Sequence, residues 1–218
     1  MLPHLNKEVI AENYKPFFGF SDATLLHLFL FEVWNKHGAH GYPVSSGFRP
    51  SFYGGAVMCQ FAMQGKMHDF TIESINNALQ GKKNVELEPH SDGVILDYYD
   101  WSDHANLTRE QPFQQVGECQ FVLPPFTDGD VDSGGHFDGW LFGGCLEVLY
   151  KALAANVIDF ESLLINSDKH ILFLETSEEM PNDILVHNFI QAYASRGFLD
   201  RVAAVLVAHP KTRFLFKL

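Results

Sequence analysis

Lys15-Pro16-Phe17-Phe18-Gly19-Phe20-Ser21-Asp22-Ala23-Thr24 carries an apolar strand straight into a helix. Phe17, Phe18 and Phe20 read as a short buried strand. From Asp22 to about Trp34 the apolar spacing turns helical, with Leu25, Leu26, Leu28, Phe29 and Val33 on one face. Ser21 falls at the junction. A nucleophile elbow places its serine there, with the hydroxyl above the sheet and a helix N-terminus behind it. So sharp a turn needs small residues two before and two after the serine, and these positions hold Gly19 and Ala23. The commoner reading of this stretch is Ser21 as an N-cap for the first helical N–H groups. Caps are commoner than elbows, and the stretch alone leaves both readings open.

The rest of the composition narrows the class. With 218 residues, 46% of them hydrophobic and 20 of them Phe, the chain can bury a sizeable core in one large domain or two small ones. A formal net charge of −12 repels duplexes and anionic membranes, so no nucleic-acid or membrane partner is expected. No apolar run has the length of a membrane span, and the first residues lack the pattern of a signal peptide. Cys59, Cys119 and Cys145 are odd in number and scattered, which argues against a disulfide framework or a zinc site and for a cytoplasmic setting.

Along the chain, residues 1–14 read as a short helix with Asn6 as cap. His37–Pro50 reads as a Gly/Pro/Ser loop, and Ser51–Met58 as a strand ending in a glycine turn, followed by a helix to about Met67. A further helix is read from a cap at Thr71 to Gly81. From Lys82 to about Phe126 the pattern breaks into short strands, clearest at Glu86–Pro89 and Val94–Tyr99. Asp128, Asp130 and Asp132 alternate as in a calcium loop. Ser133 and Gly139 nevertheless stand where that loop needs its glycine and its bidentate glutamate, so the segment reads as a solvated turn.

Gly139–Ala155 reads as strand, Gly143-Gly144 turn, helix. Ile171-Leu172-Phe173-Leu174-Glu175 is an apolar run ending in a carboxylate, a typical catalytic position, although exposed loop acids are commoner. Pro181–Arg196 is a helix stopped by Gly197, and Val202–Ala208 reads as a fully buried strand.

Taken in order, these segments resemble the LD-carboxypeptidase / microcin-C-immunity family of serine peptidases. Lys15–Asp22, Phe52–Met58, Gly143–Glu147, Ile171–Glu179 and Val205–Lys211 carry the match across nearly the whole chain. The resemblance implies an α/β fold. A partial N-terminal α/β domain (1–82) would carry the serine elbow, a linker would span 83–130, and a smaller β-rich α/β C-terminal domain (131–218) would follow. It implies Ser21 as nucleophile, the backbone N–H of Asp22 as oxyanion donor and Glu175 as the catalytic carboxylate. It also implies that Gly143, Gly144 and Cys145 line the substrate site, Cys145 standing where most of the family has asparagine. The family hydrolyses an amide beside a free carboxylate without metal or cofactor, as a homodimer. The expected substrate is a small peptide or peptidyl nucleotide.

The chemistry agrees with those roles. A serine hydroxyl is a poor nucleophile until a histidine takes its proton, and a carboxylate orients that imidazole. The family's histidine lies beyond the Val205-Leu206-Val207 strand, so the chain reads as truncated at both ends and nearly inactive alone. His209 replaces a family arginine and is not assigned to the triad; His27 and His37 read as structural. The rival expectation is a catalytically dead paralogue acting as a binding protein.

Overall fold

The computed structural model describes residues 2–13, 15–37, 51–53, 69–80, 91–94, 99–100, 102–109, 113–115, 137–164, 169–177 and 181–208. The chain forms two compact units, one of Met1–Tyr53 with Pro124–Leu218, the other of Gly54–Leu123. The expected helix before Met67, the Glu86–Pro89 strand, the Asp128–Asp132 turn, and Cys59, Cys119 and His209 lie outside the described residues.

In the first unit, α1 (Lys7–Glu12) starts at Asn6, whose side-chain oxygen accepts the Val9 N–H at 3.0 Å, as a cap should. β1 (Phe17–Gly19) leads through a 3-10 turn (Ser21–Ala23) into α2 (Thr24–His37). Leu28, Phe29 and Val33 bury the inner face of α2. The Trp34 indole donates to the Ile10 carbonyl at 3.3 Å and Lys7 pairs with the buried Glu32 at 3.4 Å, docking α1 on α2. β2 (Ser51–Tyr53) lies parallel to β1, with Gly19 opposite Tyr53.

A second parallel sheet has the order β3-β4-β5, from β3 (Trp140–Cys145), β4 (His170–Glu175) and β5 (Val202–Val207). β3 passes directly into α4 (Leu146–Ala155), which ends at Asn156 in the left-handed region. α5 (Phe160–Leu164) and α6 (Asp183–Ser195, capped by Asn182) complete the layer. Leu149, Leu153, Ile158, Phe160, Leu172, Phe189 and Tyr193 form its core, each 0–1% exposed. This parallel sheet with covering helices confirms the α/β class.

Three local expectations are corrected. Gly143 and Gly144 do not form a turn. They are the last but two and last but one residues of β3, paired with Phe173 and Leu174, with φ of 154° and 143°. A Cβ on Gly143 would stand 1.7 Å from the Phe173 carbonyl oxygen, so close approach of strand to strand, not reversal of the chain, demands glycine there. β5 is not fully buried: Val205, Leu206 and Val207 are 51–57% exposed, and among the described residues β5 pairs with β4 on one side.

The third correction lies in the other unit, whose α3 (Asp69–Leu79) begins two residues before Thr71. Thr71 is a buried interior residue of α3 and not its cap. That unit also holds an antiparallel bridge between Val94 and Gln114 and a 3-10 turn (His104–Thr108) capped by Asp103.

Candidate active site

Ser21 is one of only two non-glycine residues with positive φ among the described residues, at 51°. An L-residue enters that region at a cost, and such strain collects at functional sites. The crowding comes from the neighbours: a Cβ on Gly19 would stand 2.6 Å from the Ala23 Cβ, so the turn closes only because Gly19 has none. The capping alternative does not hold. Phe20 is the N-cap residue and makes no side-chain cap, while Ser21 lies inside the turn and its N–H donates to the Tyr53 hydroxyl at 2.9 Å.

Tyr53 ends β2 and joins what the sequence keeps apart. Its hydroxyl donates to Glu175 Oε2 and accepts from the Thr24 hydroxyl at 3.4 Å. Glu175 is the last residue of β4 and faces Cys145 across the ladder, so the carboxylate stands at the C-terminal edge of the parallel sheet. Ligand and catalytic sites of open α/β sheets gather at that edge. The Cys145 N–H donates to Thr24 Oγ1 at 2.9 Å, and a Cβ on Gly144 would fall 2.6–2.7 Å from the Thr24 side chain. Ser21, Glu175, Gly144 and Cys145 are therefore brought together through Tyr53 and Thr24. Gly143 packs one residue further back against Phe173. Asp22 follows Ser21 in the 3-10 turn that leads into α2.

The electrostatics suit hydrogen bonding more than proton abstraction. Burial, reinforced by the Glu175 carboxylate, raises the Tyr53 pKa far above that of a free phenol, so the hydroxyl stays protonated. Burial likewise pushes the Cys145 thiol up to about 12, with Glu147 adding to the effect, which leaves it an inert thiol. Burial disfavours ionised Glu147, yet hydrogen bonds from the Ser177 hydroxyl (2.6 Å) and N–H (3.1 Å) outweigh it and keep its pKa below the usual carboxylate value. His27 Nε2 lies 3.1 Å from the Gly19 carbonyl and its ring packs on Phe17 and Tyr53; burial lowers its pKa. It braces the elbow.

Sequence reasoning missed Tyr53 and Thr24. Both lie inside the quoted segments, but only the parallel pairing of β1 with β2 puts Tyr53 beside Ser21. Among the described residues no group of three His, Cys, Asp or Glu side chains could hold a metal ion. Nor is any described helix long and apolar enough to cross a membrane.

The model of the LD-carboxypeptidase N-terminal domain matches residues 1–41, and that of the LD-carboxypeptidase C-terminal domain matches residues 138–214. Among solved structures, the chain is similar to MccF in complex with glutamyl sulfamoyl guanosine, with a TM-score of 0.56 and 19% identity over 96% of this chain and 53% of that one. It is similar also to an MccF-like protein from Streptococcus pneumoniae in complex with AMP. There the TM-score is 0.63 and the identity 24%, over 96% of this chain and 58% of that one. At these identities the likeness carries the fold alone, and the chain spans little more than half the length of either structure. A search of curated proteins returned no match. The two domain models cover more than half of the sequence in the family's order, and the chain belongs to the LD-carboxypeptidase family.

Proposed function

We propose that this protein is a serine carboxypeptidase-type hydrolase that cleaves an amide beside a free carboxylate. The substrate would be a murein LD-peptide or a microcin-like peptidyl or aminoacyl nucleotide. The observation that carries this reading is Ser21 at positive φ in a strand-to-helix turn, tied through Tyr53 to a carboxylate at the end of β4. Ser21 is the proposed nucleophile, the Asp22 N–H the oxyanion donor, and Glu175 the carboxylate that orients the base. Gly143, Gly144 and Cys145 would line the site. The nucleotide arm of the substrate class draws support from the AMP and glutamyl sulfamoyl guanosine in the two similar structures. A cytoplasmic homodimer is the proposed state, with family domains at 1–82 and 131–218 joined by 83–130.

The 218-residue chain by itself is proposed to turn over slowly. The described imidazole at the elbow, His27, is engaged by the Gly19 carbonyl and is not the proposed base, and removal of a triad base costs roughly three or more orders of magnitude in rate. A second reading is a binding protein that has kept the site without the reaction, with the Tyr53 phenol on Glu175 serving to hold the site together.

The test treats the chain with a fluorophosphonate and locates the adduct by mass. Slow labelling at Ser21, lost in Ser21→Ala, together with turnover near background, is the expected result. Labelling elsewhere would remove Ser21 as nucleophile. No labelling, with tight binding of a glutamyl sulfamoyl nucleoside, would favour the binding protein. Rapid turnover abolished by Ser21→Ala would keep the hydrolase and discard the slow-chain proposal.

A further inference from the structure

We infer that Tyr53 is a positioning residue, a strut that locks the backbone of the Ser21 turn to the Glu175 carboxylate, with Thr24 as its second anchor. The directions of the hydrogen bonds leave one consistent assignment. The Ser21 N–H and the Thr24 hydroxyl both donate to the Tyr53 oxygen, and the Tyr53 proton goes to Glu175. Thr24, completely buried, has its own oxygen filled by the Cys145 N–H at 2.9 Å. Each donor in the network has an acceptor, and the protonated phenol gives its hydrogen to the Glu175 carboxyl. Such buried networks rigidify when every member is satisfied.

The ring is held as firmly as the hydroxyl. His27 and Phe173 each pack on Tyr53 with centroids 5.4 Å apart. The strut thus joins β2 to the elbow, to α2 and to the end of β4, linking residues 32 and 122 positions apart in the chain. Tyr53 touches the backbone amide of Ser21, and its phenol keeps its proton, so it cannot serve as the base for the serine. Its role is to set the spacing between the nucleophile's turn and the carboxylate. An error of about 1 Å in such spacing can cost a hundredfold in rate. The catalytic meaning of the strut rests on the hydrolase reading, whereas the strut itself rests on the hydrogen bonds alone.

The experiment uses the whole chain as wild type, Tyr53→Phe and Glu175→Gln. Amide hydrogen exchange is followed by NMR at Ser21, with Leu172 in mid-β4 as the control for global stability. Tyr53→Phe should speed exchange at Ser21 about three- to tenfold, the worth of one hydrogen bond, with Leu172 unchanged. With tyrosine labelled at the ring carbon bearing the hydroxyl, Tyr53 should ionise at lower pH in Glu175→Gln than in wild type. Unchanged Ser21 exchange, or an unchanged Tyr53 titration, overturns the strut. Where fluorophosphonate labels Ser21 in wild type, Tyr53→Phe should slow labelling and alter its pH profile; equal labelling with an equal profile overturns the positioning role. Absence of labelling in wild type counts against the hydrolase reading, and the exchange and titration results still decide the strut.

Discussion

The two ends of β4 carry a titratable side chain each and treat it in opposite ways. Five residue steps along a strand put His170 and Glu175 roughly 17 Å apart. His170 opens the strand with no exposed surface, among Phe142 and Tyr193, and its Nε2 lies 2.8 Å from the Tyr193 hydroxyl. Its Nδ1 is buried with no hydrogen-bond partner among the described residues, so the ring has nowhere there to place a second proton. Burial, with the nearby Arg201 adding to it, lowers its pKa to about 4. Glu175 closes the strand partly exposed and accepts the Tyr53 hydroxyl. One end excludes charge to complete a core; the other organises charge at the sheet edge. The strand that supplies the most buried layer of the fold also aims the carboxylate, so the site inherits the rigidity of the core.

The largest expected effect breaks the Glu175 end. Gly143→Ala sets a methyl 1.7 Å from a backbone oxygen at a φ of 154°, so β3 must part from β4 or leave its ladder. A loss of about 4 kcal/mol or more follows, read by urea unfolding or by failure to recover folded protein. A loss under about 1 kcal/mol would mean the strands are not so close.

At the other end, Phe189 has no exposed surface and packs tilted against Tyr193, the partner of His170, with ring centroids 5.6 Å apart. Phe189→Ala should cost about 3–5 kcal/mol by the same measurement. A cost well below that would show that the His170 end is less tightly packed than the comparison requires.

Acid should act on the His170 end next. Its folded pKa of about 4 lies below the unfolded value of 6.5, so the unfolded chain binds the extra proton first. The contribution is complete above pH 6.5 and is lost as pH falls from 6.5 toward 4, up to roughly 3 kcal/mol. His27, also lowered by burial, and Glu147, whose depressed pKa is lost on protonation, act in the same direction. His170→Gln keeps a partner for Tyr193 and does not titrate. The dependence of Tm on pH should be flatter in that variant between pH 6.5 and 4, and an unchanged slope would remove His170 as its source.

Much of the site could be read before the fold was known. Small residues at 19 and 23 around Ser21 describe a turn of backbone against backbone, and the structure shows the contact that requires them. An apolar run ending in Glu175 describes a buried strand with a carboxylate at its tip, and β4 is that strand. Gly143-Gly144 misled, because paired glycines before a helix have the same local signature whether they reverse the chain or admit a neighbouring strand. Val202–Ala208 misled for a related reason: apolar content reports what a strand can bury, and the elements packed over its faces determine what it does bury.

The amino-acid sequence by itself determined the local structures, the α/β class, the family and the two polar residues at strand ends. Those features depend on periodicity, side-chain volume and backbone freedom over a few neighbouring residues. Only the tertiary structure decided that Tyr53 and Thr24 join Ser21 to Glu175. Hydrogen bonds between positions 32 and 122 residues apart leave no periodic trace, and form only when parallel pairing brings β2 beside β1 and α2 beside β3.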